Sequence, residues 1–282
     1  MADTRRTFRR WVWPPPINGR LWLAVAASSL YSVAVWAVYP AVISERPVWA
    51  DQLAVVNTAI LGLLVSFRTK IAYDRWWEGR LLWGQLVNNS RNLCLKVREL
   101  ANPDAAERRA FAVLVAAFAA ALMRHLRGRA RLTEVPGFET DAANPGHVPA
   151  HVAGELIAAV AVWRTAGRID GHVQQMFDTH LSSLMDICGA CERVRNTPLP
   201  ASYLSLLRHA LVLVFAFNPW ALVHTVGPWV VPVQAVVVYF LFGIELTAEG
   251  VEQPFADDPD DLPLESYCET IRASAEDILR VV

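Results

Sequence analysis

LAVVNTAILGLLVSF, Leu53 to Phe67, runs without a charged residue into RTKIAYDRWWEGR, Arg68 to Arg80. At about 1.5 Å rise per residue the first stretch covers about 22 Å, so alone it barely spans a bilayer whose hydrocarbon layer is about 30 Å. Asn57, Thr58 and Ser66 dilute its apolar character. A spanning segment with such residues faces protein or water rather than lipid. Its helical pattern continues through Arg68, Lys70, Asp74, Arg75 and Arg80, which predicts one long helix leaving the membrane here. Within it Ala59, Leu63 and Phe67 recur at i, i+4 and i+8, along one stripe. A symmetric ring of such helices would stack three apolar rings around an axis. An apolar constriction of this kind holds ions back by dewetting. Spacing alone favours ordinary helix packing, since any membrane helix has an apolar stripe.

The remaining apolar blocks predict an all-α membrane protein. Leu21 to Ile43 has no charged residue and is long enough to span, with Trp22, Trp36, Tyr39 and Trp49 near its ends as interfacial aromatics and Pro40 helping to end it. His209 to Ile244 lacks Asp, Glu, Lys and Arg altogether and holds two spans. The first runs from about Tyr203 to Val223, broken near Asn218-Pro219; the second runs from about Trp229 to Leu246. AFAVLVAAFAAALM, Ala110 to Met123, is too short for a span and reads as a buried helix of a cytosolic bundle. Arg127 to Pro149 is loop-like, and His151 to Val194 returns to helical periodicity.

The expected organisation is a cytosolic tail (1–20), two spans (21–67), a helical cytosolic region (68–200), two more spans (201–250) and a cytosolic C-terminal segment (251–282). The Arg/Lys bias sets the orientation: the tail and the region after Phe67 are basic, while the Ser44 to Gln52 loop carries one Arg. Both termini then face the cytosol of a bacterial inner membrane. No short apolar stretch ends in a leader-type cleavage site.

Composition narrows the function. Hydrophobic residues make up 54% of the 282, and charged residues 19%, below the roughly 25% of soluble domains. A net charge of −1 argues against nucleic acid. Cys188 and Cys191 form a lone C-x-x-C with no second pair, which reads as packed thiols. His147 and His151 are four apart, but Pro149 between them argues against a helical metal pair. No catalytic constellation stands out, so an enzyme is not expected. The spans carry no acidic residue before Glu245 and show no inverted repeat, which weighs against a secondary transporter.

Three stretches together resemble the bestrophin family. The first is Phe67-Arg68, Ala72-Tyr73-Asp74-Arg75, Glu78-Gly79-Arg80 and Leu82-Trp83-Gly84. The second is CERVRNTPLP, Cys191 to Pro200, and the third EQPFADDPDDLPL, Glu252 to Leu264. They occur in order over nearly the whole chain. The resemblance implies a homopentameric channel for small monovalent inorganic ions, with five second helices around one axial pore. Chloride is the family default, and monovalent cations are the alternative. It implies a neck at Ala59, Leu63 and Phe67, the stripe that spacing picks out. Ala59 departs from the pattern, since relatives carry a larger group there, so the outer end is expected to be wider. A second, cytosolic aperture falls near Val173 or Met176. In animal members an acidic stretch helps hold an activating Ca²⁺, and Asp257, Asp258, Asp260 and Asp261 stand in its place. Pro259 and Pro263 interrupt that run, which reads alternatively as a solvated turn capping the last helix. No cofactor is required.

Overall fold

The structure, a computed structural model, describes residues 19–42, 49–141 and 145–280, with only the backbone of 49–54 and 56–58. Most of the basic tail, the 43–48 loop and the side chains of Asn57 and Thr58 therefore lie outside the described residues.

Among the described residues the chain is all helix and turn. Eight α-helices occur there: α1 (Gly19–Val42), α2 (Trp49–Lys96), α3 (Ala105–Leu126), α4 (Val148–Thr165), α5 (Gly171–Asn196), α6 (Ala201–Val226), α7 (Val230–Val251) and α8 (Leu264–Ile278). The long helix expected from Leu53 onward extends further than its motif, to Lys96, and closes in a π-turn over Val97–Ala101. Asn102 then takes a left-handed conformation, and Asp104 caps α3 in a reciprocal box with Glu107. The periodicity over His151 to Val194 is divided into α4 and α5 at Gly167, whose φ is +73°, with Asp170 capping α5.

The chain falls into two compact units, residues 1–74 with 199–252, and 75–198 with 253–282. In the first, α1, α6 and α7 pack together. Val35 and Tyr39 of α1 meet Val223 and Val230, while Leu61 and Val65 of α2 pack on Leu207 and Leu211 of α6. Pro219 does not break α6, contrary to expectation. Its missing N–H and its ring free the carbonyls of the preceding turn. Phe215 O is taken by Gln234 Nε2 at 3.2 Å, and Ala216 O by the Tyr31 hydroxyl at 2.9 Å. Gln234 is fully buried, and its Oε1 accepts from Asn218 Nδ2 at 2.7 Å. Neighbouring helices thus supply the hydrogen bonds that a bilayer core withholds. The hairpin to α7 turns at Gly227, whose φ of 57° and ψ of −131° suit only glycine.

The second unit is a helical bundle whose core holds Trp83, Leu86, Phe111, Phe118, Leu122, Leu156, Phe177 and Leu264, each at most 1% exposed. Full burial of a large apolar side chain contributes about 1.5–3 kcal/mol. Ala117, Ala119 and Ala121 let the partners of α3 approach closely. Among the described residues, the stretches long and apolar enough to cross a membrane are Gly19–Val42, Ala105–Leu126 and Ala201–Val251. Of these, α3 stands apart: 56% of its window is buried inside the protein, against 17% and 28% for the others. Its apolar surface is spent on the bundle core.

Candidate pore-lining helix and its anchors

The three stripe residues sit together on one side of α2. Ala59 is exposed, Leu63 is 59% exposed and Phe67 51%. With about 100° turned per residue, Leu61, Val65, Arg68 and Ala72 fall on the opposite side. Those four are buried, at 4%, 9%, 1% and 1%. The helix is held by one face and leaves Ala59, Leu63 and Phe67 on the other. Ser66, beside Phe67, returns its hydroxyl to Gly62 O at 2.7 Å, so its polarity is spent within the helix.

Arg68, next in the chain after Phe67, anchors this face. Its Nε donates to Glu245 Oε2 at 3.2 Å and its Nη2 to Glu252 Oε2 at 2.8 Å. The other oxygen of Glu252 accepts from Leu199 N at 3.2 Å. Arg208 lies 3.6 Å from Glu245 and, with Arg20, pairs Glu249. Three arginines therefore balance three carboxylates, although only Arg68 among the cations is buried, with Glu245 and Glu252 against it. Ser66 to Leu86 announced Arg68; nothing local in the sequence announced its partners, which are 177 and 184 residues away.

Within the helical unit the three motifs also meet one another. Arg75 donates to Thr197 O and Val194 O, both at 2.5 Å, covering end carbonyls of α5. Glu78 accepts from Arg193 at 3.0 Å, and Trp76 Nε1 donates to Asp260 O at 3.2 Å. Gly79 is closely approached: a Cβ there would stand 3.0 Å from the Phe255 ring and 3.2 Å from Leu262. Asp74 pairs with Lys70 at 2.9 Å within α2.

The aperture candidates differ. Val173 is partly buried against the bundle core, whereas Met176 is 49% exposed. Asn89 ties α2 to this part of α5, donating to His180 O at 2.8 Å and lying 2.7 Å from His180 Nδ1. Burial, with Lys96 nearby, holds the His180 imidazole below its ordinary value.

The acidic stretch faces arginines. Asp257 pairs with Arg127 at 2.9 Å and Arg129 at 3.1 Å. Asp261 Oδ2 accepts from Asp258 N at 2.7 Å and closes the turn; burial raises its carboxyl above the usual range. Among the described residues the four aspartates do not bring three donor atoms together. Arg127 also grips Glu265 at the start of α8. Each raises or lowers the other through that hydrogen bond, Arg127 upward and Glu265 downward. A cavity of about 450 Å³ opens here, lined by Arg75, Arg127, Arg129, Arg195, Phe255 and Asp257 among others.

The two motif cysteines are fully buried. Burial pushes the Cys188 thiol up to about 12 and Cys191 up as well, which leaves both inert as nucleophiles. His147 and His151 point apart: His147 caps α4 through Ala150 N, while His151 lies 3.8 Å from Asp141.

A model of the bacterial and fungal bestrophin proteins matches residues 9–277. The chain belongs to the bestrophin family. Similar proteins include one from Nostoc sp. named a voltage-dependent anion channel-forming protein, 32% identical over 93% of this chain and 88% of that one. Another of that name, from Mesorhizobium japonicum, is 34% identical over 86% of this chain and 82% of its own length. A crystal structure of a bacterial bestrophin homologue from Klebsiella pneumoniae superposes with a TM-score of 0.82 at 23% identity, covering 92% of this chain and 98% of that one. That likeness is one of fold. This bestrophin is a membrane protein, and α1, α6 and α7 lie in stretches long and apolar enough to cross a bilayer.

Proposed function

We propose that this bestrophin is the subunit of a homopentameric anion channel of the bacterial inner membrane, with chloride its default ion. Four spans, α1, the first part of α2, α6 and α7, cross the bilayer, and both termini lie in the cytosol. Five copies of α2 surround the axis, and Ala59, Leu63 and Phe67 form an apolar neck. The observation that carries this reading is the two-sidedness of α2. One face is locked by Leu61, Val65 and the Arg68 cluster, and the other offers Leu63 and Phe67 outward. The names of the similar proteins support the sign of the ion. Met176, the more exposed candidate, forms the cytosolic aperture. The acidic stretch works as a turn wired to arginines, and channel opening needs no Ca²⁺ and no other cofactor.

Reversal potentials across planar bilayers in asymmetric NaCl test the assignment. A potential near the chloride equilibrium value supports it. One near the sodium value replaces it with a cation channel of the same architecture. Saturable uptake coupled in fixed stoichiometry, with no unitary currents, replaces it with a transporter.

A further inference from the structure

We propose that His125, His147 and Glu192 bind a divalent transition metal of the zinc type within the helical unit, independently of the channel reading. The three side chains come from three places: the last turn of α3, the cap of α4 and the last turns of α5. His125 Nε2 lies 2.6 Å from Glu192 Oε1 and His147 Nε2 lies 2.9 Å from the same oxygen. One donor atom from each residue falls within 4.8 Å of the others, and the two rings stand 4.6 Å apart. The side chains are 21%, 36% and 28% exposed, so the cluster is partly buried and still reached by water.

Two imidazole nitrogens and one carboxylate oxygen suit zinc and its neighbours rather than Ca²⁺ or Mg²⁺, which take oxygen. Three protein ligands leave a fourth, tetrahedral position for water. With metal–ligand bonds of about 2.0–2.1 Å, tetrahedral ligands stand roughly 3.3 Å apart. The present contacts are hydrogen bonds and somewhat shorter, so the cluster needs to open by about half an ångström.

The proton inventory is consistent. His147 Nδ1 accepts from Ala150 N at 3.0 Å, so in the neutral ring the proton sits on Nε2 and faces Glu192. His125 Nε2, 2.6 Å from the same carboxylate oxygen, likewise carries a proton toward it. On binding, each ring gives up its Nε2 proton to solvent and takes one from solvent at Nδ1, so both Nε2 lone pairs go to the metal, both rings stay neutral and Glu192 stays a carboxylate. The His147 ring turns its Nδ1–H away from Ala150 N–H, which is left to water. One helix cap is lost in exchange for a metal–nitrogen bond, the stronger interaction. The site would clip the end of α3 and the start of α4 onto α5. Cys188 and Cys191 are fully buried and are not ligands.

The test is zinc titration of the purified, chelator-stripped protein against a competing indicator. One saturable zinc per chain is expected, with affinity reduced at least tenfold in Glu192→Gln and in His147→Ala, and unchanged in His151→Ala. Millimolar Ca²⁺ should not compete. Equal zinc affinity in wild type and Glu192→Gln, or no saturable binding, overturns the proposal. Cobalt titration of the unmodified protein needs no variant: the intense visible absorption of a four-coordinate ion supports the site, and a pale six-coordinate spectrum at every ratio overturns it.

Discussion

Arg68→Met removes the one fully buried cation of the α2 anchor and keeps an unbranched, apolar side chain in place of the arginine stem. Glu245 keeps Arg208, 50% exposed and 3.6 Å away, and Glu252 keeps the Leu199 N–H. Two carboxylates with side chains 4% and 10% exposed then lose their buried cation. Breaking a buried pair from one side costs about 3–5 kcal/mol. For a chain of this size that is a fall of roughly 6–20 °C in unfolding temperature, taking about 2–4 °C per kcal/mol. Thermal unfolding in detergent, followed by size-exclusion fluorescence, measures it. Adding Glu245→Gln and Glu252→Gln to Arg68→Met removes the stranded charges and should recover most of the loss, since neutral replacements of buried ion groups are often tolerated. A single Arg68→Met variant within about 1 kcal/mol of wild type would refute the anchor, and with it the argument for the fixed rotation of Phe67.

Phe67→Ala should raise open probability in single-channel records with little change in stability, because its ring is half exposed and a smaller ring wets more easily. Ala59→Ile should act in the opposite direction and lower conductance. Gly79→Leu should destabilise the helical unit by about 1–3 kcal/mol through overpacking on Phe255 and Leu262, read as a lower unfolding temperature with wild-type helicity. The Arg127–Glu265 pair sets a pH dependence. Glu265 is held below its ordinary value in the folded state, so its contribution is present above the unfolded value of about 4.3 and fades as pH falls through the folded one. Glu265→Gln should therefore flatten acid destabilisation between wild-type pH profiles at 5 and below, measured by unfolding temperature against pH.

What was legible in the sequence follows from range. The stripe of Ala59, Leu63 and Phe67 is a local period, and helix geometry alone predicts that the three share a side. The uninterrupted run from the apolar stretch into Arg80 likewise foretold one long helix. The continuity of α6 through Pro219 was not legible, because it depends on Gln234 and Tyr31 in other helices. Arg68 was visible as a motif residue, yet one arginine among many gives no clue that Glu245 and Glu252 will meet it. The histidines show the same limit. Four-residue spacing directed attention to His147 with His151, while the fold pairs His147 with His125 and Glu192, brought together by three helices. The acidic stretch read as a candidate cation site because charges of one sign cluster there; its counter-charges, Arg127 and Arg129, arrive from the end of α3 and the loop beyond.

The central claim is that the Leu63 side of α2 lines the conduction path. Cysteine modification of a conducting channel tests it most directly. Leu63→Cys is placed on the exposed stripe, and Leu61→Cys on the buried face, 4% exposed, serves as its control. A charged thiol reagent applied during recording should change the Leu63→Cys current in discrete steps and leave Leu61→Cys unaffected. Full labelling of Leu63→Cys with the current unaltered would contradict the account.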